Sequence, residues 1–286
     1  MNNKTVLITG TSSGFGRLLV PEFLREGWTV IATLRNAEQR AELFKNEMSS
    51  ASDRLFLFSL DVSNENDRDA VAEFIGQHFE GRLDCLVNNA GYGLFGAVED
   101  LSEAQIRQQL EVNFFGLVLL TQKLLPQIRQ ARGRIINLSS VLGYTGMPLA
   151  TMYCASKFAI EGFSEGLYYE LKPHGVQVAL VEPGAFRTNF SDKQVWGEHS
   201  LDKNSPYQKQ TEAYSRYRKQ RAAGEGTSPA PVIKAVMHLA ETAHMPMRVR
   251  CGKDAKGVYT VKRLLPQGLQ TSVFSKVYAR IFSNKE

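Results

Sequence analysis

Six short runs of this chain are apolar at nearly every position: "KTVLITG" (4–10), "WTVIATL" (28–34), "RLFLFSL" (54–60), "LDCLVNN" (83–89), "GRIINLS" (133–139) and "VQVALVE" (176–182). A strand with one wet face alternates apolar and polar residues. These do not, so they must be covered on both faces. Between them lie longer stretches of helical spacing, at 16–26, 36–48, 64–79, 102–130 and 152–172, with another near 231–243. A strand that repeatedly alternates with a helix builds a doubly wound parallel sheet flanked by helices. A seventh strand is expected near 247–251. The α/β rhythm has no linker before about residue 190, so one domain over 1–286 is expected.

Composition fits that reading. The chain has 286 residues, 43% hydrophobic and 22% charged. No apolar run reaches the roughly 18 residues of a membrane span. No basic, apolar and small-residue succession of the signal-peptide kind opens the sequence, so a cytoplasmic location is expected. The cysteines, Cys85, Cys154 and Cys251, are far apart and form no CxxC, and the five histidines form no HxxxH. Neither a metal site nor a disulfide framework is expected.

Two segments depart from the rhythm. From Phe190 to Pro231 the chain is polar, basic and aromatic, with "SPYQKQTEAYSRYRKQRAAGEG" at its centre. It falls after the sixth strand, outside the carboxyl edge where ligands of open α/β sheets bind, and is expected to form a substrate lid. From Met245 onward, nine Lys or Arg face only Asp254 and Glu286. The extension over 252–286 therefore reads as a basic, solvated surface that can also touch anionic lipid peripherally.

The first strand runs into "TGTSSGFG" and then a helix. Gly10 allows the tight turn, Gly14 a close approach of phosphate to backbone, and Gly16 close packing of helix on strand. With Ser12, Ser13 and Phe15 between them, the amides at the helix start would face a diphosphate. This predicts a dinucleotide site and a Rossmann-like sheet. The second strand ends "ATLRN". An acid there would accept from an adenosine ribose hydroxyl; Leu34 and Arg35 stand there instead. A guanidinium suits a 2′-phosphate, so NADP(H) is expected over NAD(H), with Arg35 and Arg17, which follows the last glycine, as candidates.

"YCASK" places Tyr153 and Lys157 one helical turn apart. A tyrosine has a pKa of about 10 and needs tuning to move protons at neutral pH. An ammonium one turn away is expected to lower it, and the lysine can also hold a ribose. Ser140, at the end of the fifth run, can hold a substrate oxygen.

Together these residues resemble the short-chain dehydrogenases/reductases, over about residues 4–190. "TGTSSGFG" is similar to that family's cofactor turn, and "LDV" to its adenine segment, placing Asp61 and Val62 at the cofactor. "NNAG" is similar to its central-strand motif, with Asn89, Ala90 and Gly91 near the cofactor. "PGAFRT" resembles the loop beside the nicotinamide and supplies Pro183, Gly184 and Thr188. Asn113, Ser140, Tyr153 and Lys157 fall on the family's catalytic positions. The resemblance implies hydride transfer, with Tyr153 as general acid or base, Ser140 polarising the substrate oxygen, Lys157 on the ribose and Asn113 holding a water behind it. "ATLRN" and "YCASKFAIEG" are similar to members acting on steroids and retinoids.

The expected partner is a small lipophilic carbonyl or alcohol, walled by Tyr144, Met147, Leu149, Met152, Phe190, Trp196, Tyr207, Tyr214 and Tyr217. No arginine lies beside Ser140 and Tyr153 in sequence to bind a substrate carboxylate; one can arrive from the lid as Arg216 or Arg218. A catalytically silent NADP(H)-binding regulator of the same fold is the alternative. No nucleic-acid module is legible. The family's habit implies a homodimer or homotetramer through the helices at 102–130 and 152–172.

Overall fold

The computed structural model describes residues 4–187, 195–223 and 228–283. Seven parallel strands form one sheet in the order β3-β2-β1-β4-β6-β7-β9. They are β1 (Thr5–Thr9), β2 (Thr29–Leu34), β3 (Leu55–Ser59), β4 (Cys85–Asn88), β6 (Arg134–Leu138), β7 (Gln177–Pro183) and β9 (Arg248–Cys251). A separate parallel pair joins β5 (Leu94–Phe95) to β8 (Val195–Trp196). The consecutive apolar positions do what both-face burial requires. Val6 and Ile8 pack into a core with α1 (Gly14–Arg25) and α8 (Ala230–Glu241), while Leu7 packs into the opposite core with α3 (Glu65–His78) and α5 (Gly116–Ala131).

The strand order turns back between β1 and β4, which both pair with each other through Val6–Cys85 and Ile8–Val87. That reversal opens a crevice at the carboxyl edge. Gly10, Leu34, Asn89, Ser139 and Pro183 all end strands on this edge or follow them by one residue.

Local signals set several helix ends. The Asn64 side chain accepts from the Asp67 amide to start α3. Ser102 and Gln105 form a reciprocal capping box at α4 (Glu103–Leu110), which satisfies two otherwise unpaired amides. Two expected helices differ. The stretch expected as a helix over 36–48 becomes a tight 3-10 segment, Glu38–Phe44, followed by the short α2 (Lys45–Ala51). The stretch 102–130 is not one helix: a π turn, Glu111–Phe115, separates α4 from α5. Gly116 follows the turn directly and Pro126 lies inside α5, but the apolar spacing runs through both, so spacing alone does not mark the break.

The expected lid contributes β8 and α7 (Gln208–Ala223). The basic extension differs most from its sequence reading. It folds as α9 (Lys253–Leu264) and α10 (Gln267–Ser283), and α10 lies against α7. Ile281 is buried in an aromatic cluster with Phe95 and Tyr214, and the Tyr278 hydroxyl donates to the Gly146 carbonyl. Most of its lysines and arginines are exposed, while Val258, Val261 and Phe274 are half-buried along the cavity and Val273 and Val277 line it but stay exposed. The remaining long helix, α6 (Thr151–Leu171), carries the Tyr–Lys pair. No helix among the described residues is long and apolar enough to cross a membrane.

Candidate active site

The crevice is a cavity of about 1550 Å³. Its floor is made of strand ends. The glycine turn bounds one end through Gly10, Ser12, Ser13, Gly14 and Phe15. Gly10 has φ +70°, and a β-carbon there would lie 2.8 Å from the Ala90 Cα. A β-carbon on Gly16 would lie 2.6 Å from the Gly10 carbonyl oxygen. Gly16 is therefore buried packing beneath the turn and does not line the cavity, a correction to its expected place among the cofactor contacts.

Asn89 fastens this turn to β4. Its side-chain amide donates to the carbonyls of Thr9, at 2.8 Å, and Gly10, at 3.2 Å. The Thr9 hydroxyl accepts from the amides of Asn89 and Ala90, each at 2.9 Å. Asn88, one residue earlier, points the other way and hydrogen-bonds Thr121 and Asn137 inside the sheet. Ala90 and Gly91 line the cavity beside Asn89.

Leu34, Arg35, Asp61 and Val62 line the same end. The Asp61 carboxylate accepts from the Ser63 amide and hydroxyl, at 3.0 and 2.6 Å, which fixes the turn between β3 and α3. Arg17 is not on the cavity. It pairs with Glu47 at 2.7 Å and donates to the Leu43 carbonyl, so the first turn of α1 is tied to α2 instead. Arg40 takes the expected place beside Arg35 on the wall. It lies in the 3-10 segment read from sequence as plain helix, and only folding brings it to the end of β2.

These features fit a dinucleotide: a turn whose glycines leave room for close backbone approach, amides at a helix start, and two guanidiniums with no carboxylate at the end of β2. Pro183 and Gly184 line the far side, where the Ala185 amide donates to Asp254 Oδ2 at 2.7 Å. Sequence gave Asp254 no role, since it reads there as a stray acid in a basic stretch. Thr188 and Phe190 lie outside the described residues.

Ser140, Tyr153 and Lys157 meet at the middle of the floor. Ser140 caps the tight turn after β6, its hydroxyl accepting from the Leu142 amide at 3.1 Å, and it hydrogen-bonds Tyr153. Lys157 Nζ donates to the Leu138 carbonyl at 2.8 Å and lies 5.8 Å from the Tyr153 ring centroid. Burial pushes the Tyr153 phenol up to about 12, against the lowering pull of the Ser140 hydrogen bond; Cys154 and Tyr214 raise it and Arg218 lowers it. The expectation that Lys157 depresses this phenol does not hold in the protein alone: desolvation of the phenolate outweighs every nearby charge. Burial likewise lowers the Lys157 ammonium to about 8, partly offset by Glu161.

Asn113 sits in the π turn, off the cavity wall. Its side chain accepts from the Tyr92 amide at 3.0 Å and donates to the Tyr92 carbonyl at 2.9 Å and to Ser156 at 3.2 Å. A π turn commonly marks a functional position, because it re-aims one side chain.

The expected apolar wall is partly corrected. Met147, Tyr214 and Tyr217 line the cavity. Tyr144 donates instead to the Ala255 carbonyl, Leu149 and Tyr207 pack into the cluster behind the wall, and Trp196 packs there against Phe95 and Tyr214. Met152 is not on the wall either. Their places are taken by Phe95, Val258, Val261, Val273, Phe274 and Val277. Arg218 does arrive from α7, lying over the Phe95 ring at 3.8 Å, whereas Arg216 stays exposed.

The family model of the short chain dehydrogenases matches residues 4–198. The chain is a short-chain dehydrogenase/reductase. It is 32% identical to a 3-ketodihydrosphingosine reductase of Bacteroides thetaiotaomicron, covering 98% of this chain and 99% of that one. It is 33% identical to a bovine 17-beta-hydroxysteroid dehydrogenase type 6, covering 98% and 90%. The crystal structure of a short-chain dehydrogenase from Streptomyces avermitilis superposes with a TM-score of 0.79 at 33% identity, over 97% of this chain and 96% of that one. Membership makes this chain an oxidoreductase of the dehydrogenase/reductase kind, like the relatives named for ketone and alcohol substrates.

Proposed function

We propose that this dehydrogenase interconverts a lipophilic ketone or aldehyde with its alcohol, using NADP(H) in preference to NAD(H). The observation that carries the reading is the Ser140–Tyr153 hydrogen bond at the base of a cavity whose remaining wall is aromatic and aliphatic. A nicotinamide dinucleotide held along Gly10, Ser12, Ser13, Asp61 and Asn89 would supply hydride chemistry at the substrate carbon. Tyr153, protonated at neutral pH, donates its phenolic proton to the carbonyl oxygen as charge builds there. Ser140 donates a second hydrogen bond to the same oxygen and stabilises the developing alkoxide. Lys157, still cationic at neutral pH, holds the ribose side of the site and stabilises the phenolate left by proton transfer. Asn113 fixes the Tyr92 backbone on one side and Ser156 of α6 on the other. That placement supports its assigned post behind Lys157.

Preference for the phosphorylated cofactor rests on Arg35 and Arg40, on the wall beyond Leu34. Charge-assisted hydrogen bonds from guanidinium to phosphate are among the stronger ones available. The lipophilic substrate rests on the apolar residues of α7, α9 and α10 facing Tyr153. The relatives named for a 3-ketodihydrosphingosine and a 17β-hydroxysteroid support it. Phe158 and Tyr169 are exposed on α6 and Phe115 at the π turn before α5, which supports a homo-oligomer formed there. The test is NADPH consumption with steroid- and retinoid-like carbonyls and long-chain ketones, set against short keto acids and sugars. Preference for the short polar set, or equal affinity for the two cofactors, overturns the corresponding half of the reading.

A further inference from the structure

Among the described residues, Arg218 is the cation of the cavity roof that acts on Tyr153. Its guanidinium stacks on Phe95 at 3.8 Å and reaches Tyr214, whose hydroxyl accepts from Nη1 at 3.4 Å. Phe95 in turn lies 6.2 Å from Tyr153, ring centroid to centroid. The guanidinium and the proton-donating phenol are thus separated by one aromatic side chain. Nε is sealed from solvent and has no hydrogen-bond partner. No carboxylate among the described residues forms a salt bridge with Arg218, whereas Arg248 and Arg250, which lie off the cavity, share Glu182.

A stacked guanidinium keeps its face on a ring and its N–H groups at the rim. Here the rim lies along the cavity wall. Holding a cation against two aromatic rings in a partly desolvated pocket is costly without an anion to pair with it. The side chain is also on α7, in the segment that distinguishes the roof from the strand-end floor.

We propose that Arg218 binds an oxyanion of the substrate, so that the molecule reduced here is an amphiphile: a carbonyl at Ser140 and Tyr153, an anionic group at Arg218, and an apolar remainder along α9 and α10. The inference rests on the lipophilic-carbonyl reading above and narrows it. A carboxylate and a phosphate ester share the required chemistry. Either would accept two N–H groups from the guanidinium, and either also carries a negative charge toward the site of alkoxide formation. Arg218 screens that charge from the reacting oxygen. The coulombic influence of Arg218 on the phenol is the same geometry seen from the other side.

The test separates the anchor from the chemistry. Binding to the full-length protein is measured for a saturated fatty acid, its methyl ester and the matching alkyl phosphate, none of which can be reduced. The acid or the phosphate is expected to bind about ten- to a hundredfold more tightly than the ester, the range of a charge-assisted hydrogen bond. Which of the two binds better identifies the oxyanion. Arg218→Gln should collapse that ratio to near one, and Arg218→Lys should keep part of it. A purely stacking role would make Arg218→Gln lower the melting temperature and weaken all three ligands equally. That result, or a wild type indifferent to the charge, overturns the proposal. Turnover is then measured with a γ-oxo fatty acid, its methyl ester and the plain ketone. Failure to reduce any of them, with the binding ratio intact, overturns the carbonyl reading and leaves the anchor standing.

Discussion

The floor and the roof of this cavity are built by different means. On the floor, all the named groups but Tyr153 and Lys157 of α6 sit at or just beyond a strand end: Gly10 after β1, Arg35 after β2, Asn89 after β4, Ser140 after β6, Pro183 closing β7. Ladder hydrogen bonds fix the strands, so these groups are placed by the sheet itself, and Tyr153 and Lys157 are locked against it by the bond to Leu138. The roof is one aromatic cluster. Phe95, Tyr214 and Ile281 form its buried centre, with Met147, Tyr217, Tyr278 and Phe282 packed around them from four separate segments. On the proposed reading, hydride transfer depends on groups held by rigid backbone, and the choice of substrate on side chains from loops and from α7 and α10. A change to the floor should therefore affect every substrate alike, and a change to the roof should alter the ranking of substrates.

The largest expected effect is on the floor. Tyr153→Phe removes the proton donor and keeps the ring that packs against Phe95. The rate should fall by roughly 10²–10⁴-fold for every carbonyl tested, with NADPH binding retained. A loss confined to one substrate class would break the division between floor and roof. Next comes the adenosine end. Arg35→Asp with Arg40→Ala should weaken NADPH by roughly ten- to a hundredfold, as charge-assisted contacts to the phosphate are lost, while NADH binds at least as well. Titration by fluorescence of the bound reduced cofactor reads both. An unchanged NADPH affinity would remove the two arginines from the site.

How much of each region could be read beforehand follows from the same contrast. The glycine turn, the Tyr–Lys pair and the strand-end serine are local patterns, each set by residues a few positions apart. The sheet order follows from which runs lack polar positions. The roof depends on contacts between distant segments: Arg218 on Phe95, Tyr278 on Gly146, Asp254 on Ala185. Nothing local announces them. The α7 segment is polar almost all round, so no apolar stripe marks its buried side, and the basic charge of the extension conceals the valines with which α9 and α10 line the cavity. Arg40 is hidden for another reason: it lies on a 3-10 segment, Glu38–Phe44, that brings it to the cavity, and nothing in the spacing over 36–48 marks that segment. The opposite direction of the Tyr153 shift is also a product of folding, because burial is not visible in an i,i+4 pair.

The roof supplies the third prediction. Tyr278→Phe deletes the bond to the Gly146 carbonyl, and Ile281→Ala opens the buried end of α10. Each should raise KM for long lipophilic ketones by roughly fivefold, the worth of about one hydrogen bond or a partly collapsed cavity. Values for small carbonyls and for NADPH should hold. If NADPH affinity falls as well, α10 also braces the floor, and the two regions are mechanically one.

The smallest effect concerns Lys157, where activity and stability should move in opposite directions with pH. Burial lowers its ammonium from 10.5 to about 8. Below about pH 8 the folded protein carries the cation, and the lysine can hold a ribose and stabilise a phenolate. As pH rises through 8, the folded state releases this proton while the unfolded chain keeps it until about 10.5. Reduction should then slow by roughly fivefold, since the charge behind one hydrogen bond to the ribose is gone. Over the same interval the unfolded state binds more protons than the folded one, so this group's contribution to stability rises with pH. Lys157→Met removes the buried cation and both dependences with it. Melting temperatures of the two proteins should differ most in favour of the variant below pH 8 and converge above it, while the wild-type rate falls across the same range. If rate and melting temperature instead decline together as pH rises from 8 to 10.5, the floor is loosening as a whole, and the titration of Lys157 is not what limits it.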